Sequence, residues 1–246
     1  MKEPEYRAMF DAEDSHWWFV ARRLFLSKVL RDLPQTRKKI ADIGAGTGGM
    51  IGFLKQYGDV IGIEPNATGR AFAKRRGIVL RSGDAEHTNL TRESVDMVCF
   101  FDVLYHRGIQ DIKALAEAKR ILRPGGLLVI TDCAMPFLEG PHDRAVEGRE
   151  RYTLSGFVRT IRRAGFRIEK QTYMYFLLFP VVLIKRLVDR FFTHDSDPHS
   201  DVTPVPSWIH RIASAINSIE AEGLRWFSYP WGSSLCIIAR KPGGKV

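Results

Sequence analysis

Short apolar runs alternate with amphipathic stretches along the first half of the chain. Residues 40–43, 60–63, 95–101 and 127–130 are rich in aliphatic and aromatic side chains and have the length of buried strands. A helix-like segment over residues 50–57 separates the first two runs. This alternation predicts an α/β fold built on a parallel sheet.

The second half of the chain predicts two further strands that lie far apart in the sequence. A helix is predicted over residues 153–164, a strand over 166–174 and a final strand over 234–240. The long connection between the two strands forms an insertion. Such a pair fits an antiparallel hairpin that closes the sheet. Before the first strand, the residues up to Pro34 predict a helical N-terminal segment.

A glycine-rich turn follows the first predicted strand, with glycines at positions 44, 46 and 48. Glycine allows positive φ angles and has no Cβ, so backbone N–H groups of such a turn can approach a ligand closely. Gly44, Gly46 and Gly49 also satisfy the dinucleotide-binding pattern. The turn therefore predicts an adenosine-binding enzyme, without separating a nicotinamide cofactor from other adenosine ligands.

Two carboxylates accompany this turn. Asp42 lies two residues before Gly44, where its charge faces a cationic ligand or holds the loop, and where it would repel a pyrophosphate. Glu64 ends the second predicted strand about 20 residues after Gly44, the spacing at which an acid binds ribose hydroxyls. The spacing favours an unphosphorylated ribose.

Four features in a fixed order carry a resemblance to a known family. They are Asp42-Ile43-Gly44-Ala45-Gly46-Thr47-Gly48, Glu64 at a strand end, Gly83-Asp84-Ala85, and Leu122-Arg123-Pro124-Gly125-Gly126 before a strand. In this order they resemble the class I S-adenosylmethionine-dependent methyltransferases. The resemblance covers residues 37–135 closely and most of the remainder loosely.

The resemblance implies a Rossmann-like fold. We expect a seven-stranded sheet of order 3-2-1-4-5-7-6 with an antiparallel last strand and helices on both faces, in which residues 78–81 supply the third strand. The chain would be one domain over residues 1–246. Its parts would be an N-terminal helical lid (1–36), a cofactor-binding core (37–135) and a substrate-side region (136–246) with an insertion before the last strand.

The resemblance also implies a cofactor, S-adenosylmethionine, with S-adenosylhomocysteine as product. The backbone of Gly44, Ala45 and Gly46 would lie beneath its methionine and ribose parts, and Glu64 would accept both ribose hydroxyls. The remaining expected cofactor residues are Asp42 and Gly48 in the turn, Asp84 and Ala85 at the adenine edge, and Phe101 and Asp102 at the sulfonium end.

A narrower resemblance lies at the ends of the chain. The segment His16-Trp17-Trp18-Phe19-Val20-Ala21-Arg22-Arg23 is similar to that of a bacterial methyltransferase group often linked to surface-glycan and lipid-linked pathways. Its aromatic and basic residues recur at helical spacing, so part of the segment packs on the core and part can close over the cofactor. We therefore expect Trp17, Trp18 and Arg22 to form a lid or to contact substrate.

Methyl transfer to a hydroxyl also needs a base, and a histidine titrating near neutrality suits that role. His106 follows the fourth predicted strand, beside the expected methyl position, and His142 lies next to Asp143 on a loop bordering the same mouth. Tyr105 is a candidate to orient the acceptor. No Asn-Pro-Pro-Tyr-like motif follows the fourth strand, which counts against methylation of a base or amide nitrogen.

The most apolar run, residues 173–184, is followed by Lys185, Arg186 and Arg190. It is shorter than the ~20 apolar residues that span a bilayer. One interpretation is a sixth strand followed by a buried helix. The others are an apolar substrate groove, or a segment that enters a membrane interface with its basic residues towards anionic lipid.

Composition and charge bear on the binding partners, the metal content and the location of the protein. The chain has 246 residues, a hydrophobic content of 45% and a formal charge of +9, with basic clusters scattered along it and no recognised RNA-binding module. Cysteines at 99, 133 and 236 lack disulfide or zinc spacing and are expected in the core, with no metal site. No signal-like apolar run opens the chain, which predicts a cytoplasmic protein, with peripheral membrane contact left open.

The sequence thus favours methyl transfer to a small or lipid-linked acceptor, at a hydroxyl. Nucleic acid is not the expected partner, although an RNA methyltransferase is the first alternative among enzymes. A non-catalytic cofactor-binding subunit is the alternative of another class. A nicotinamide oxidoreductase comes last, because it would leave the Gly83-Asp84-Ala85 site unexplained.

Overall fold

A mixed β-sheet forms the centre of the protein, and helices connect and extend its strands. The computed structural model describes residues 1–31, 38–192 and 205–243. The predicted lid boundary at residue 36, the start of the predicted core at Arg37, part of the insertion (193–204) and the last three residues of the chain lie outside the described residues.

The described ranges contain six strands, nine α-helices and one short 3-10 helix, Pro136–Leu138. The strands are β1 (Lys38–Ile43), β2 (Gly58–Ile63), β3 (Val95–Phe101), β4 (Leu122–Cys133), β5 (Arg167–Met174) and β6 (Ser234–Arg240). The helices are α1 (Glu3–Ala12), α2 (Trp17–Val29), α3 (Ile51–Leu54), α4 (Ala67–Arg75), α5 (Asp111–Ile121), α6 (Pro141–Ala145), α7 (Leu154–Arg163), α8 (Phe179–Phe192) and α9 (Ser207–Gly223).

The sheet has the order β2-β1-β3-β4-β6-β5. The first four of these strands are parallel, and β6 lies antiparallel between β4 and β5. The central strands are buried along most of their length: Ile40, Val98 and Leu128, on β1, β3 and β4, are fully shielded from solvent. The continuous apolar runs of the sequence therefore form the central parallel strands, as their composition predicted.

The prediction of seven strands in the order 3-2-1-4-5-7-6 was wrong, because residues 78–81 do not form a strand in the described structure. Only Arg81 pairs with β2, through a single bridge to Ile63. Its N–H donates to Gly62 O (2.9 Å), and its carbonyl accepts from Glu64 N (3.0 Å). Val79 is 88% exposed. The apolar run is too short and too exposed to form a ladder, so β2 is the edge strand.

The late strands and the helix before them lie close to their predicted positions. The hairpin of β5 and β6 was expected over 166–174 and 234–240, and α7 was expected over 153–164. Thr153 caps α7, because its Oγ1 accepts a hydrogen bond from Gly156 N at 3.3 Å. The helix expected over 50–57 is shorter, since only α3 is helical there.

The segment after β5 is not the buried helix that one interpretation expected. A helix does follow the strand, but α8 is not buried: Val181 and Ile184 are 64% and 61% exposed. Across the described ranges, no helix combines the length and apolarity required to cross a membrane. Cys99, Cys133 and Cys236 are buried free thiols, as expected of core residues.

Candidate active site

A cavity of about 470 Å³ opens at the carboxyl ends of β1, β2 and β3. Most of the predicted site residues line it. They are Trp18, Arg22, Asp42, Gly44, Ala45, Gly46, Glu64, Asp84, Ala85, Phe101, Asp102, Tyr105, His106 and His142. Gly48 and Trp17 are predicted residues that lie outside its lining. The fold thus brings cofactor, lid and catalytic candidates, spread over 125 positions from 18 to 142, to one opening.

The glycine turn needs its glycines for two different reasons. Gly44 has φ +74°, and a Cβ there would lie 2.5 Å from Val103 Cγ2, so no side chain fits. Gly48, with φ +84°, closes the turn by donating its N–H to Ala45 O at 2.8 Å. The outer side of Gly48 faces Ile78 and Ala73. Gly48 therefore shapes the turn from behind and does not line the cavity.

Glu64 is held at the centre of the cavity floor. The residue is 3% exposed, and its carboxylate accepts three hydrogen bonds of 2.9 Å. Gly46 N donates to Oε2, whereas Asn66 N and the phenol of Tyr6 donate to Oε1. Burial raises the pKa of Glu64, and these three donors act against that rise. The carboxylate is therefore fixed in place, with one oxygen already shared by two donors.

Asp84 serves the turn that contains it. Its Oδ1 accepts from Glu86 N (2.8 Å) and His87 N (2.7 Å), and its side chain is half exposed. This is the capping role that such a residue often takes at a turn. Ala85 beside it is buried. Both residues still line the cavity at the edge expected for an adenine ring.

Asp42 is a buried carboxyl that lines the cavity without a full set of partners. It is 2% exposed, and its Oδ2 has no hydrogen-bond partner among the described residues. Burial raises the pKa of Asp42 to about 7; Arg22 acts against that rise, whereas Glu13 and Glu64 add to it. A cation in the cavity would satisfy this oxygen and favour its ionised form.

Arg22 joins the lid helix α2 to the end of β3. Its guanidinium, 7% exposed, forms an ion pair with Asp102 and lies 5.0 Å from the Trp18 ring centroid. Asp102 has φ +58°, a conformation that non-glycine residues adopt at a cost of ~1–3 kcal/mol. Burial raises the pKa of Asp102, and Arg22 opposes this. One oxygen of Asp102, Oδ1, has no partner in the part of the chain that the structure describes.

The two lid tryptophans differ in position. The Trp18 ring stacks on Tyr175 at 6.0 Å and also lines the cavity. The Trp17 ring meets the edge of the same tyrosine at 6.1 Å. Trp17 therefore packs against the substrate-side region, which explains its place outside the cavity lining.

The sequence predicted a helical segment over residues 1–36 but named no residue of helix α1 as part of the site. Tyr6 and Met9 line the cavity, and the Met9 methyl lies directly over Gly46, 2.7 Å from where a Cβ would be. Glu13 is buried and accepts a hydrogen bond from the Thr47 hydroxyl in the turn. These three residues follow i, i+3, i+7 spacing, so they share one helix face. That spacing was the available signal.

The catalytic candidates occupy the wall next to β3. The His106 ring lies 4.4 Å from that of buried Tyr105 and hydrogen-bonds to the backbone of Val146 and Glu147. Burial lowers the pKa of His106 to about 4. His142 lies in α6 and lines the same cavity.

Asp143, the neighbour of His142, forms hydrogen bonds with Gly140 and Arg151. Its Oδ2 accepts from Gly140 N at 2.8 Å, and its Oδ1 accepts from Arg151 Nε at 2.9 Å. The carboxylate is 6% exposed. Asp143 therefore anchors the loop and α6 instead of orienting the neighbouring histidine.

One group of side chains has metal-like spacing. Ligand atoms of Asp102, Asp132 and Cys133 lie within 4.8 Å of one another. Asp132 accepts from Leu104 N (3.0 Å) and from its neighbour Cys133 N (2.9 Å), and burial raises its pKa well above the ordinary value. Asp132 accepts from Leu104 N in the loop after β3, and Asp102 is paired with Arg22, so both carboxyls of the cluster have structural partners that hold this loop.

Comparison with known proteins identifies the domain. No curated protein sequence matches the chain. Residues 41–130, which contain the glycine turn, Glu64 and the end of β3, match the family model described as a methyltransferase domain. Residues 41–130 form a methyltransferase domain. A domain of this kind implies S-adenosylmethionine as the methyl donor.

Solved structures share the fold of this methyltransferase at low sequence identity. A methyltransferase of Haloferax volcanii in complex with the Trm112 activator matches with a TM-score of 0.63 at 18% identity, covering 99% of this chain and 96% of that one. An S-adenosylmethionine-dependent methyltransferase of Thermotoga maritima matches with a TM-score of 0.59 at 23% identity, covering 98% and 100%. One from Archaeoglobus fulgidus gives 0.58 at 17%, covering 92% and 94%. At these identities the likeness establishes the fold.

The cavity of the methyltransferase fits a cationic adenosine cofactor by its own chemistry. Two buried carboxylate oxygens, Asp42 Oδ2 and Asp102 Oδ1, lack partners among the described residues. The backbone of Gly44, Ala45 and Gly46 lines the cavity, and Glu64 holds an oxygen pair at the end of β2. Acceptors without donors suit a ligand that carries positive charge and hydroxyl groups.

Proposed function

We propose that this methyltransferase transfers a methyl group to an oxygen of a small or lipid-linked acceptor. The observation that carries the proposal is the convergence of the carboxylates of Asp42, Glu64 and Asp102 with His106 and His142 on one cavity. The carboxylates suit the cofactor. The histidines suit an acceptor that must lose a proton.

For the cofactor, we assign the ribose hydroxyls to Glu64 and the cationic methionine end to Asp42 and Asp102. The backbone of Gly44, Ala45 and Gly46 would lie beneath the ligand, and Phe101 would flank the sulfonium. Asp84 and Ala85 would meet the adenine edge. The use of Asp84 Oδ1 by two backbone N–H groups leaves its other oxygen for that contact.

S-adenosylmethionine supplies a methyl group on a cationic sulfur. Residues of this chain would then hold the acceptor oxygen in line and exclude water. Correct positioning of two reactants supplies ~7 kcal/mol or more of a reaction barrier. The lid residues Trp18 and Arg22 close one side of the cavity, and Tyr6 and Met9 close another.

We assign proton removal to His142 and acceptor positioning to His106 and Tyr105. The pKa of His106 is lowered to about 4 and its ring is engaged by the backbone of the 146–147 turn. A base of such low pKa gives little driving force for deprotonating a hydroxyl at neutral pH. His142 lines the same cavity from a separate helix, α6.

Two other functions remain as alternatives with distinct signatures. An RNA methyltransferase would bind nucleic acid with an affinity that falls steeply with salt. A cofactor-binding partner subunit would bind S-adenosylmethionine without turnover. The structurally similar Haloferax volcanii methyltransferase is bound to an activator, which supports testing for a protein partner here as well.

The first experiment is calorimetric titration of S-adenosylmethionine and S-adenosylhomocysteine into the purified protein. Micromolar binding that is lost in Glu64→Ala, and is retained in the cavity-edge control Glu86→Ala, would support the cofactor site. Labelled methyl donor would then be offered with sugars, polyprenyl lipids and RNA as acceptors. Absence of binding, or preference for NADH, would overturn the assignment of the site.

A further inference from the structure

Helix α9 carries its apolar residues on the outside. Trp208, Ile212 and Ile219 follow i, i+4, i+11 spacing and are 58%, 54% and 69% exposed. On the opposite face, Asn217 and Glu220 are fully buried. A helix that packs on a protein core shows the reverse arrangement. The outward apolar stripe is therefore unexplained by folding alone.

Helix α8 has the same inverted arrangement. Val181, Ile184 and Val188 follow i, i+3, i+7 spacing and are 64%, 61% and 47% exposed. Arg186 is 8% exposed, and its guanidinium lies against Gly140. Arg186 thus faces the protein, while the apolar stripe faces outward.

The fold holds these helices in that orientation. The Glu220 carboxylate accepts hydrogen bonds from Phe176 N (2.9 Å) and Leu177 N (3.0 Å), in the segment directly before α8. The Phe176 ring also stacks on Tyr229 at 4.8 Å and lies 4.9 Å from the Trp231 ring. The Glu220 carboxylate and the Phe176 ring therefore connect the segment before α8 with α9 and with the loop after α9.

Aromatic side chains extend this surface beyond the helices. Trp226, Phe227 and Trp231 are 79%, 56% and 45% exposed. Together with Trp208, three of the five tryptophans of the chain are at least 45% exposed. Tryptophan is enriched at membrane interfaces, where its ring meets the headgroup level and its N–H stays hydrated.

We propose that α8, α9 and residues 226–231, here called the α8–α9 surface, dock the enzyme on a bilayer that contains anionic lipid. An amphipathic helix with an exposed apolar stripe binds in the plane of such an interface. The chain carries a formal charge of +9, and exposed Lys185 and Arg211 lie beside the stripes. Lys185 pairs with Asp189, and Glu222 pairs with Lys28 and Arg225, so these two acids are matched by cations and the excess positive charge of the chain favours anionic headgroups.

Two contacts connect residues next to the α8–α9 surface with residues at or next to the cavity, so the inference deepens the proposed function and rests on it for the acceptor. Tyr175, before α8, donates its hydroxyl to Trp18 O at 2.8 Å, and Trp18 lines the cavity. Gly140, which contacts Arg186, directly precedes the helix that carries His142. A lipid-linked acceptor could thus reach the cavity while its chain stays in the bilayer.

The test is flotation of the full chain with vesicles of phosphatidylcholine, with and without phosphatidylglycerol. The chain offers a matched control, because Ile112 on α5 is 55% exposed and Ile212 on α9 is 54% exposed. We expect the wild type to float with the anionic vesicles. Ile184→Glu and Ile212→Glu should each weaken partitioning at least about tenfold, the loss expected when one apolar side chain no longer enters lipid. Ile112→Glu should bind as the wild type does.

Three outcomes would overturn the inference. They are no flotation of the wild type, an equal loss in Ile112→Glu, and a concentration-dependent dimer in light scattering that Ile212→Glu abolishes, which would assign the surface to a second copy. S-adenosylmethionine binding is measured in parallel. A protein that binds the cofactor but not vesicles contradicts only the docking surface, whereas a wild type that binds no cofactor contradicts the proposed function.

Discussion

The phenol of Tyr6 donates a hydrogen bond of 2.9 Å to Oε1 of Glu64. That oxygen is one of the two that we assign to the ribose of the cofactor. Because Asn66 N occupies the same oxygen, a ribose hydroxyl that binds there must displace the phenol. Helix α1 therefore covers the site in a form that competes with the ligand.

This competition predicts that Tyr6→Phe strengthens binding of S-adenosylhomocysteine. Loss of a hydrogen bond that the ligand must break should improve the affinity by about 1 kcal/mol, or about fivefold in Kd. Calorimetry measures the change, and Tyr57→Phe, outside the cavity lining, is the matched control. Weaker binding in Tyr6→Phe would instead mean that the phenol contacts the cofactor.

The pKa of Asp42 predicts a pH dependence of cofactor affinity. Burial raises this pKa to about 7, so the carboxyl of the free protein is about half protonated near neutrality. A cationic ligand favours the ionised form, so binding should strengthen about tenfold between pH 6 and pH 8 and then level off. Calorimetry across this range tests the sign.

In Asp42→Asn the increase of cofactor affinity between pH 6 and pH 8 that we attribute to Asp42 should disappear. A slope that persists in this variant would have to come from another group, and the pKa values of Glu13 and Glu64 are also raised by burial. The variant thus separates Asp42 from its two acidic neighbours.

The two histidines should respond differently to the same substitution. With the acceptor found by the labelled-methyl screen, His142→Gln should lower kcat about 100-fold, the lower end of the contribution of a general base. His106→Gln should act mainly on KM for the acceptor. Steady-state kinetics measures both. If kcat falls only in His106→Gln, and the wild type shows an acid limb near pH 4, then His106 is the base.

The buried ion pair of Arg22 and Asp102 should be important for stability. Arg22→Met leaves a buried carboxylate without its counter-charge, and such a loss destabilises a protein by about 3 kcal/mol or more. Urea denaturation measures the free energy of unfolding. The double variant Arg22→Met/Asp102→Asn should recover part of the loss, and an equal or greater loss in the double variant would contradict coupling between the two.

Much of the core could be predicted because its signals are local. The apolar run before Gly44 and the carboxylate at Glu64 lie within single strand–turn units, where composition and spacing determine backbone conformation and the position of the side chain. The structure accordingly brings both to one cavity. The same holds for the late strands β5 and β6, whose apolar runs define a ladder.

The features of the fold and of the site that the sequence did not predict depend on tertiary contacts. The segment containing Val79 has the composition of a strand, but strand pairing needs a ladder that its neighbours do not provide. The interpretation of a buried helix after the strand did not hold for α8, because amphipathicity specifies that two faces differ and not which one is buried. Contact of Tyr6 with Glu64 joins residues 58 positions apart, beyond any local pattern.

The placement of β6 has a consequence for biosynthesis. This strand is synthesised after all the others described, yet it lies between β4 and β5 and pairs with both. Until residues 234–240 leave the ribosome, β5 has no sheet neighbour and β4 exposes an unpaired edge, which is the kind of edge that promotes aggregation. A shortened chain without this strand would lose β5 from the sheet as well, so one deletion near the end removes two strands.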